Sequence, residues 1–198
     1  MRPFSLILPL TLLLVAAPVY AQRQVQDPLT PAQAEEIAKA GIDPNQRVHL
    51  YTKYLDEHAE SIKALAKRAD TPARNNRMAS DLEDLANLMD ELGSNLDVYS
   101  DRKADIRKTL KPLNDAIHRW QDMLKGLPSE SAFDLARTDA LDSSNDLADE
   151  AKQMAQDQDQ YFAEHKEQTG QEWHVPTASS QQHDSGQPAA SSGKKPHQ

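Results

Sequence analysis

The pair of residues best spaced for metal chemistry is Asp115 and His118, three positions apart on a predicted helix. This spacing places both side chains on one helical face, as in the carboxylate–histidine motifs of di-iron helical bundles. Such a site needs a second pair of the same kind and two further carboxylates. The adjacent pairs Glu57–His58 and Glu164–His165 diverge by about 100° around a helix and do not supply them. We therefore expect no metal and no cofactor.

Catalytic motifs are equally incomplete. Ser100 and Lys103 have the Ser-x-x-Lys spacing of penicillin-interacting enzymes, but the companion motifs are missing and no sheet is predicted to complete the site. There is no glycine-rich phosphate loop, no HExxH motif and no nucleophile elbow. His58 occupies an inward helical position, where a satisfied core or boundary histidine is favoured over a pH-sensitive site. The sequence therefore predicts a non-enzymatic protein.

One cluster of charge is a candidate binding site. Lys67, Arg68, Arg74 and Arg77 surround a predicted helix–helix tip at Asp70-Thr71-Pro72. No acidic group in the sequence obviously neutralises all four cations. We interpret the cluster as a candidate contact for an external anion, and the alternative is a tip that is simply solvated.

The helices that must position these residues are indicated by heptad spacing. Apolar residues recur alternately at three and four positions from Val48 to Ala69, from Met78 to Leu124 and from Phe133 to Tyr161. Such seams are typical of helices that pack on partner helices. The fold class predicted is therefore all-α, an antiparallel helical bundle with coiled-coil seams.

Two architectures fit this pattern. The unbroken phase from Met78 to Leu124 favours one long central helix, Pro72 to Lys125. The alternative is a turn near Tyr99 to Arg102, which gives an up-down four-helix bundle. That turn lacks Gly, Pro or Asn, so the long helix is preferred. Gly93-Ser94 is a second position for a break.

The chain divides into four segments. Residues 1–21 read as a signal peptide, with Arg2, an apolar run and a small-residue cleavage site before Gln22. Residues 22–42 are predicted to be a lead-in with one short helix, and residues 43–167 the bundle domain. Residues 168–198 are rich in Ser, Gln, Pro and Gly and are predicted to be disordered, with Trp173 as a residue that either docks on the bundle or stays solvated.

Composition limits the partners. The 198-residue chain has a net charge of −9 and no cysteine. An acidic chain is a poor general ligand for nucleic acid. The short apolar run at the N-terminus is predicted to leave no stable membrane anchor after cleavage. We expect export to the periplasm or the extracellular space, and a protein partner, which includes a second copy of the chain.

Two resemblances accompany this interpretation. Leu29-Thr30-Pro31-Ala32-Gln33 resembles the LTxxQ motif of periplasmic helical chaperones and metal-stress adaptors of the CpxP and Spy type, which carry it twice. The stretch from Asp90 to Lys108 is similar to exported helical proteins of Acidobacteria. Both resemblances imply an exported helical protein. The first also implies an alternative function as a chaperone or stress adaptor, and neither transfers a binding residue.

Overall fold

The chain forms a bundle of α-helices. The computed structural model describes residues 27–170, which contain helices and no strand. The predicted signal peptide, residues 1–21, and the tail beyond residue 170, which includes Trp173, lie outside the described residues. The helices are α1 Pro31–Lys39, α2 Pro44–Ala66, α3 Pro72–Asp101, α4 Arg107–Lys125 and α5 Asp134–Glu164, followed by a 3-10 turn at Lys166–Gln168.

The four long helices are arranged as two antiparallel hairpins. α2 packs on α3 and α4 packs on α5, while α2 also contacts α4 and α3 also contacts α5. Asn45 bonds to Thr109 and Asp56 bonds to Trp120, so α2 and α4 run parallel. α3 and α4, both fully described, make no direct packing contact and lie at diagonal corners. The connection between them, residues 102–106, therefore crosses one end of the bundle, which we call the link end.

The first three helices begin at side-chain caps. Thr30 caps α1 and forms a capping box with Gln33. Asp43 caps α2 and Thr71 caps α3, each followed by proline at the first helical position. These caps satisfy N–H groups that have no partner within the helix.

The predicted seams supply the core. Almost all of their apolar residues are buried, which confirms the inward faces of the bundle; the coiled-coil character of the packing stays a prediction. Tyr51 is buried and bonds to Glu91 across α2 and α3. Fully buried seam residues include Leu55, Ile62, Met78, Leu82, Leu85, Met89, Leu92, Leu96, Leu113 and Leu124.

The long central helix is wrong, and the alternative bundle is correct. α3 ends at Asp101, and Lys103 adopts a left-handed backbone with φ of 54°. The Lys103 N–H donates to the Ser100 carbonyl, and the Ala104 N–H donates to the Tyr99 carbonyl. This pair of bonds is the Schellman ending of a helix, in which glycine usually takes the left-handed position. Because this position holds Lys103 and not glycine, the sequence carries no residue that predicts a turn here.

Heptad phase survives this break for a structural reason. The link between α3 and α4 is short, and its apolar residues Ala104 and Ile106 are buried like the seam residues on either side. An inward-facing link thus reproduces the spacing of a continuous helix. By contrast, Gly93 does not break α3: the helix runs through it to Asp101.

None of the helices within residues 27–170 has the length and apolar character that crossing a membrane requires.

Candidate functional site

A groove at the link end is the main concave feature that we assign as a candidate site. It consists of two adjoining hollows with volumes of about 210 and 620 Å³, on either side of the loop between α1 and α2. A volume of this size accepts a large side chain or a small ligand. We call it the end groove. Its lining residues are Ala40, Gly41, Ile42, Asp43, Pro44, Asn45, Arg47, Asn95, Val98, Tyr99, Arg102, Ala104, Asp105, Lys108 and Gly170.

The end groove has an apolar rim. Within residues 27–170, the exposed large hydrophobic side chains are Ile42 (56% exposed), Val98 (40%) and Leu135 (76%). Ile42 and Val98 both line the end groove. Leu135 lies near the start of α5, at the opposite end of the bundle. Two of the three exposed large hydrophobic side chains in the described part of the chain therefore lie at this groove.

Local sequence explains the exposure of Ile42. Gly41 ends α1 in a left-handed conformation with φ of 60°. The Asp43 side chain accepts hydrogen bonds from the backbone N–H groups of Asn45 and Gln46 and so starts α2. Ile42 lies between the end of α1 and the start of α2. It belongs to neither helix, so its side chain is not part of a face that packs into the core.

The side of the groove formed by α2 and α3 is fixed by Arg47. Its guanidinium donates to the Tyr99 hydroxyl at 3.1 Å, to the Asn95 side chain at 3.3 Å and to the Ile37 carbonyl at 3.4 Å. These bonds join α2, α3 and α1 around the smaller hollow. Arg47 is thus used to hold the groove in shape.

The link beside the groove is held by Gln158 of α5. Its Oε1 accepts from the Ile106 N–H at 3.1 Å, and its Nε2 donates to the Ala104 carbonyl at 2.7 Å. Gln158 is buried. One side chain therefore satisfies two backbone groups of the link, the Ala104 carbonyl and the Ile106 N–H, that lie between the two helices.

A carboxylate joins the link to the end of the described chain. Asp105 accepts from Arg107 at 2.9 and 2.8 Å and from the Gly170 N–H at 3.1 Å. The Arg107 guanidinium, with help from the Gly170 amide, holds the pKa of Asp105 below its ordinary value. Lys108 is exposed on the same edge of the groove.

The predicted anion-binding cluster is divided by the structure. Arg74 is buried and bonds to Glu130 at 2.6 Å and to the Leu65 carbonyl at 3.2 Å. Arg77 is largely exposed, but its Nε lies 2.7 Å from the buried carboxylate of Asp81. Lys67 and Arg68 are exposed near the tip. An external anionic contact thus stays a prediction that rests on these two and on the exposed part of Arg77.

The histidines take separate positions. His118 lines a shallow pocket between α4 and α5 with Asp149 and Lys152. Asp115 is exposed on α4. Within residues 27–170 no group of three or more His, Cys, Asp or Glu residues is arranged to hold a metal ion. His58 is half-buried, and its Nε2 lies 3.1 Å from the Pro28 carbonyl, which fits a boundary histidine.

A second polar feature lies between α3 and α5. A pocket of about 300 Å³ there is lined by four acidic residues and no cation: Asp90, Asp97, Asp146 and Glu150. Oε1 of Glu150 is buried without a hydrogen-bond partner. A side chain at Gly93 would place its Cβ 2.7 Å from Oε2, so glycine makes room for this carboxylate. Burial, followed by the neighbouring Asp97, raises the pKa of Glu150 to about 7.

This carboxylate gives a pH-dependent stability. A raised pKa means that the folded chain holds the Glu150 proton more tightly than the unfolded chain does, so we expect the contribution of Glu150 to stability to fall as pH rises from about 4.5 to 7. We expect Glu150→Gln to stabilise the protein at pH 8 by about 1–2 kcal/mol, because it removes a partly buried negative charge. The gain is limited to this range because solvent partly screens that charge. The gain should vanish below about pH 4.5. Urea unfolding at a series of pH values measures the effect.

The exposed Asp146→Asn variant, from the same pocket, is the matched control and should leave the pH profile unchanged. Equal stability of wild type and Glu150→Gln at pH 8 would show that Glu150 carries no uncompensated charge.

Comparison with known proteins gives no further constraint, because no family model, curated protein or solved structure significantly matches this chain.

Proposed function

We propose that this protein is an exported, non-enzymatic interaction protein of the cell envelope that binds a segment of a partner protein in the end groove. The observation that carries this proposal is the coincidence of the groove with the exposed side chains of Ile42 and Val98. Solvent-exposed apolar residues beside a concave surface are typical of a binding site. A single large apolar side chain, aromatic above all, suits the size of the groove.

The alternative is a periplasmic chaperone or stress adaptor. A protein that holds many unfolded chains needs a broad apolar concave face. On the described surface, the exposed large hydrophobic residues are three, and Leu135 is far from the other two. This distribution favours recognition of one anchor side chain over general capture of unfolded protein. A third hypothesis, a metal-binding bundle built on Asp115 and His118, has no supporting geometry within residues 27–170.

Export rests on the N-terminal sequence. Secretion of the full chain should yield a mature protein that begins at Gln22, which an intact-mass measurement determines. A product that retains Met1 in the membrane fraction would count against export.

Partner binding is tested with substitutions on the rim. Four tagged proteins are expressed in the cells that naturally produce this protein and are purified from envelope extract. They are the wild type, Ile42→Glu, Val98→Glu and Leu135→Glu. We expect at least one protein to co-purify with wild type and with Leu135→Glu. Its recovered amount should fall about tenfold or more with the two groove variants, which is the size of effect that loss of an interface hot spot produces. The co-purified protein is then purified, and its affinity for each variant is measured directly.

Leu135→Glu is the matched control, since it adds the same charge to an exposed apolar position at the other end. Co-purified proteins that bind all four forms equally would overturn the end groove as the binding site. An absence of any specific partner would overturn the proposed function itself.

A further inference from the structure

The end of the described chain lies in the end groove. Gly170 itself lines the larger hollow, and its N–H donates to Asp105 at 3.1 Å. Asp105 is in turn held by two bonds from Arg107. Gly170 has φ of 67°, a left-handed conformation that a glycine adopts readily. The following residues therefore start from a fixed point on the groove.

The sequence after this point contains one large anchor. After Phe162 the only Phe, Tyr or Trp is Trp173, within a region otherwise rich in Ser, Gln, Pro, Gly and Ala. Trp173 is three residues beyond Gly170, and three residues reach about 10 Å when extended. Ile42 lines both hollows and Val98 lines the smaller one, so together they offer an apolar target for such a side chain. An aromatic side chain buries about 150–250 Å².

Charge beside the anchor also fits. Glu172 precedes Trp173, and Lys108 is exposed on the edge of the hollow that Gly170 lines. Opposite charges at the rim favour one orientation of a docked segment more than they add affinity.

We propose that the segment after Gly170 docks in the end groove of the same chain through Trp173, and that a partner must displace it. This inference rests on the proposed function, because it names what occupies the same groove when the partner is absent. The segment acts as an intramolecular competitor. Its tether gives it an effective concentration on the order of millimolar, so a modest intrinsic affinity suffices to fill the groove.

The first test observes Trp173 directly in the full chain. The protein has two tryptophans, and Trp120 is buried in the core. Labelling with 5-fluorotryptophan gives two ¹⁹F resonances, which Trp173→Ala assigns. We expect the Trp173 resonance to be protected from a soluble paramagnetic agent in wild type and in Leu135→Glu, and to move to its position in the urea-unfolded chain in Val98→Glu. A Trp173 resonance at the unfolded position in wild type would overturn the proposal.

Docking between copies is a separate outcome of the same experiment. Intramolecular docking predicts a Trp173 resonance that is independent of protein concentration. A resonance that moves to the unfolded position on dilution would place the segment in a second copy and contradict the proposal.

The second test uses a synthetic peptide of residues 169–178. We expect it to bind full-length Trp173→Ala, whose groove is vacant, and to bind wild type at least tenfold more weakly, because the tethered segment competes. The same peptide with Trp173 replaced by alanine should bind neither. Equal affinity for wild type and Trp173→Ala, or no binding to Trp173→Ala, would overturn self-occupancy.

These results separate the two proposals. If partner capture depends on Val98 but is the same for wild type and Trp173→Ala, the partner site stands and self-occupancy fails. If the peptide binds as expected but no partner depends on the groove, the docking stands and the proposed function fails.

Discussion

Gln158→Leu is expected to destabilise the protein more than any other substitution of an uncharged residue that we consider. The change leaves the buried Ile106 N–H and Ala104 carbonyl without their partners. An unsatisfied buried polar group costs about 1–3 kcal/mol, so we expect a loss of about 2–4 kcal/mol in the free energy of unfolding. Leucine is similar in size and apolar, so the loss reflects the two missing hydrogen bonds and not a cavity.

Urea unfolding measures this loss, and hydrogen exchange locates it. We expect the Ile106 amide to exchange faster in Gln158→Leu, while amides in the middle of α2 change only with global stability. Gln160→Leu is the matched control, because Gln160 is exposed two residues further along α5. A difference of less than about 0.5 kcal/mol between the two variants would contradict the role of Gln158 in holding the link.

Arg74→Met is expected to have the second large effect. Methionine retains most of the buried stem but removes the bonds to Glu130 and to the Leu65 carbonyl. It also removes the guanidinium that lies 5.3 Å from the centre of the Phe133 ring. Breaking a buried ion pair from one side leaves the other charge uncompensated, and we expect a loss of about 2–4 kcal/mol, since Glu130 keeps some solvent contact.

A double-variant cycle separates the pair from the rest. Arg74→Met with Glu130→Gln should recover about 1 kcal/mol or more relative to additivity, because the second change removes the stranded charge. Arg68→Met, at an exposed position near the same tip, should change stability by less than about 0.5 kcal/mol. Equal losses of stability in Arg68→Met and Arg74→Met would contradict the buried ion pair and would indicate that Arg74 is a solvated residue of the predicted cationic cluster.

Helix positions could be predicted because their signals are local. Thr30 with Gln33, and Thr71 with Pro72, cap helices within one turn, and the heptad seams fix the inward faces. The turn at residues 102–106 could not be predicted in this way. Its left-handed residue is Lys103, where glycine is usual, and the bonds that compensate come from Gln158, 52 residues further along the chain than Ile106.

The candidate site depends on the same long-range arrangement. Val98 falls between the seam residues Leu96 and Tyr99, and Ile42 falls in a short loop, so neither has a distinctive pattern in the sequence. The antiparallel packing of α2 on α3 brings them to one groove, and the link between α3 and α4 lines its larger hollow. The four-cation cluster was recognisable from its charges, but the burial of Arg74 depends on Glu130, on a turn 56 residues away.

The end groove exists only if the chain reverses direction at residues 102–106, and one distance tests this most directly. The chain has no cysteine, so Asn76→Cys and Lys125→Cys carry spin labels at unique, exposed positions. In the bundle both lie at the end opposite the groove, on diagonal helices, and we expect a label distance of about 20–30 Å, since packed helices are 8–10 Å apart. A continuous helix would separate them by about 74 Å, and a measured distance beyond about 60 Å would contradict the bundle and its groove.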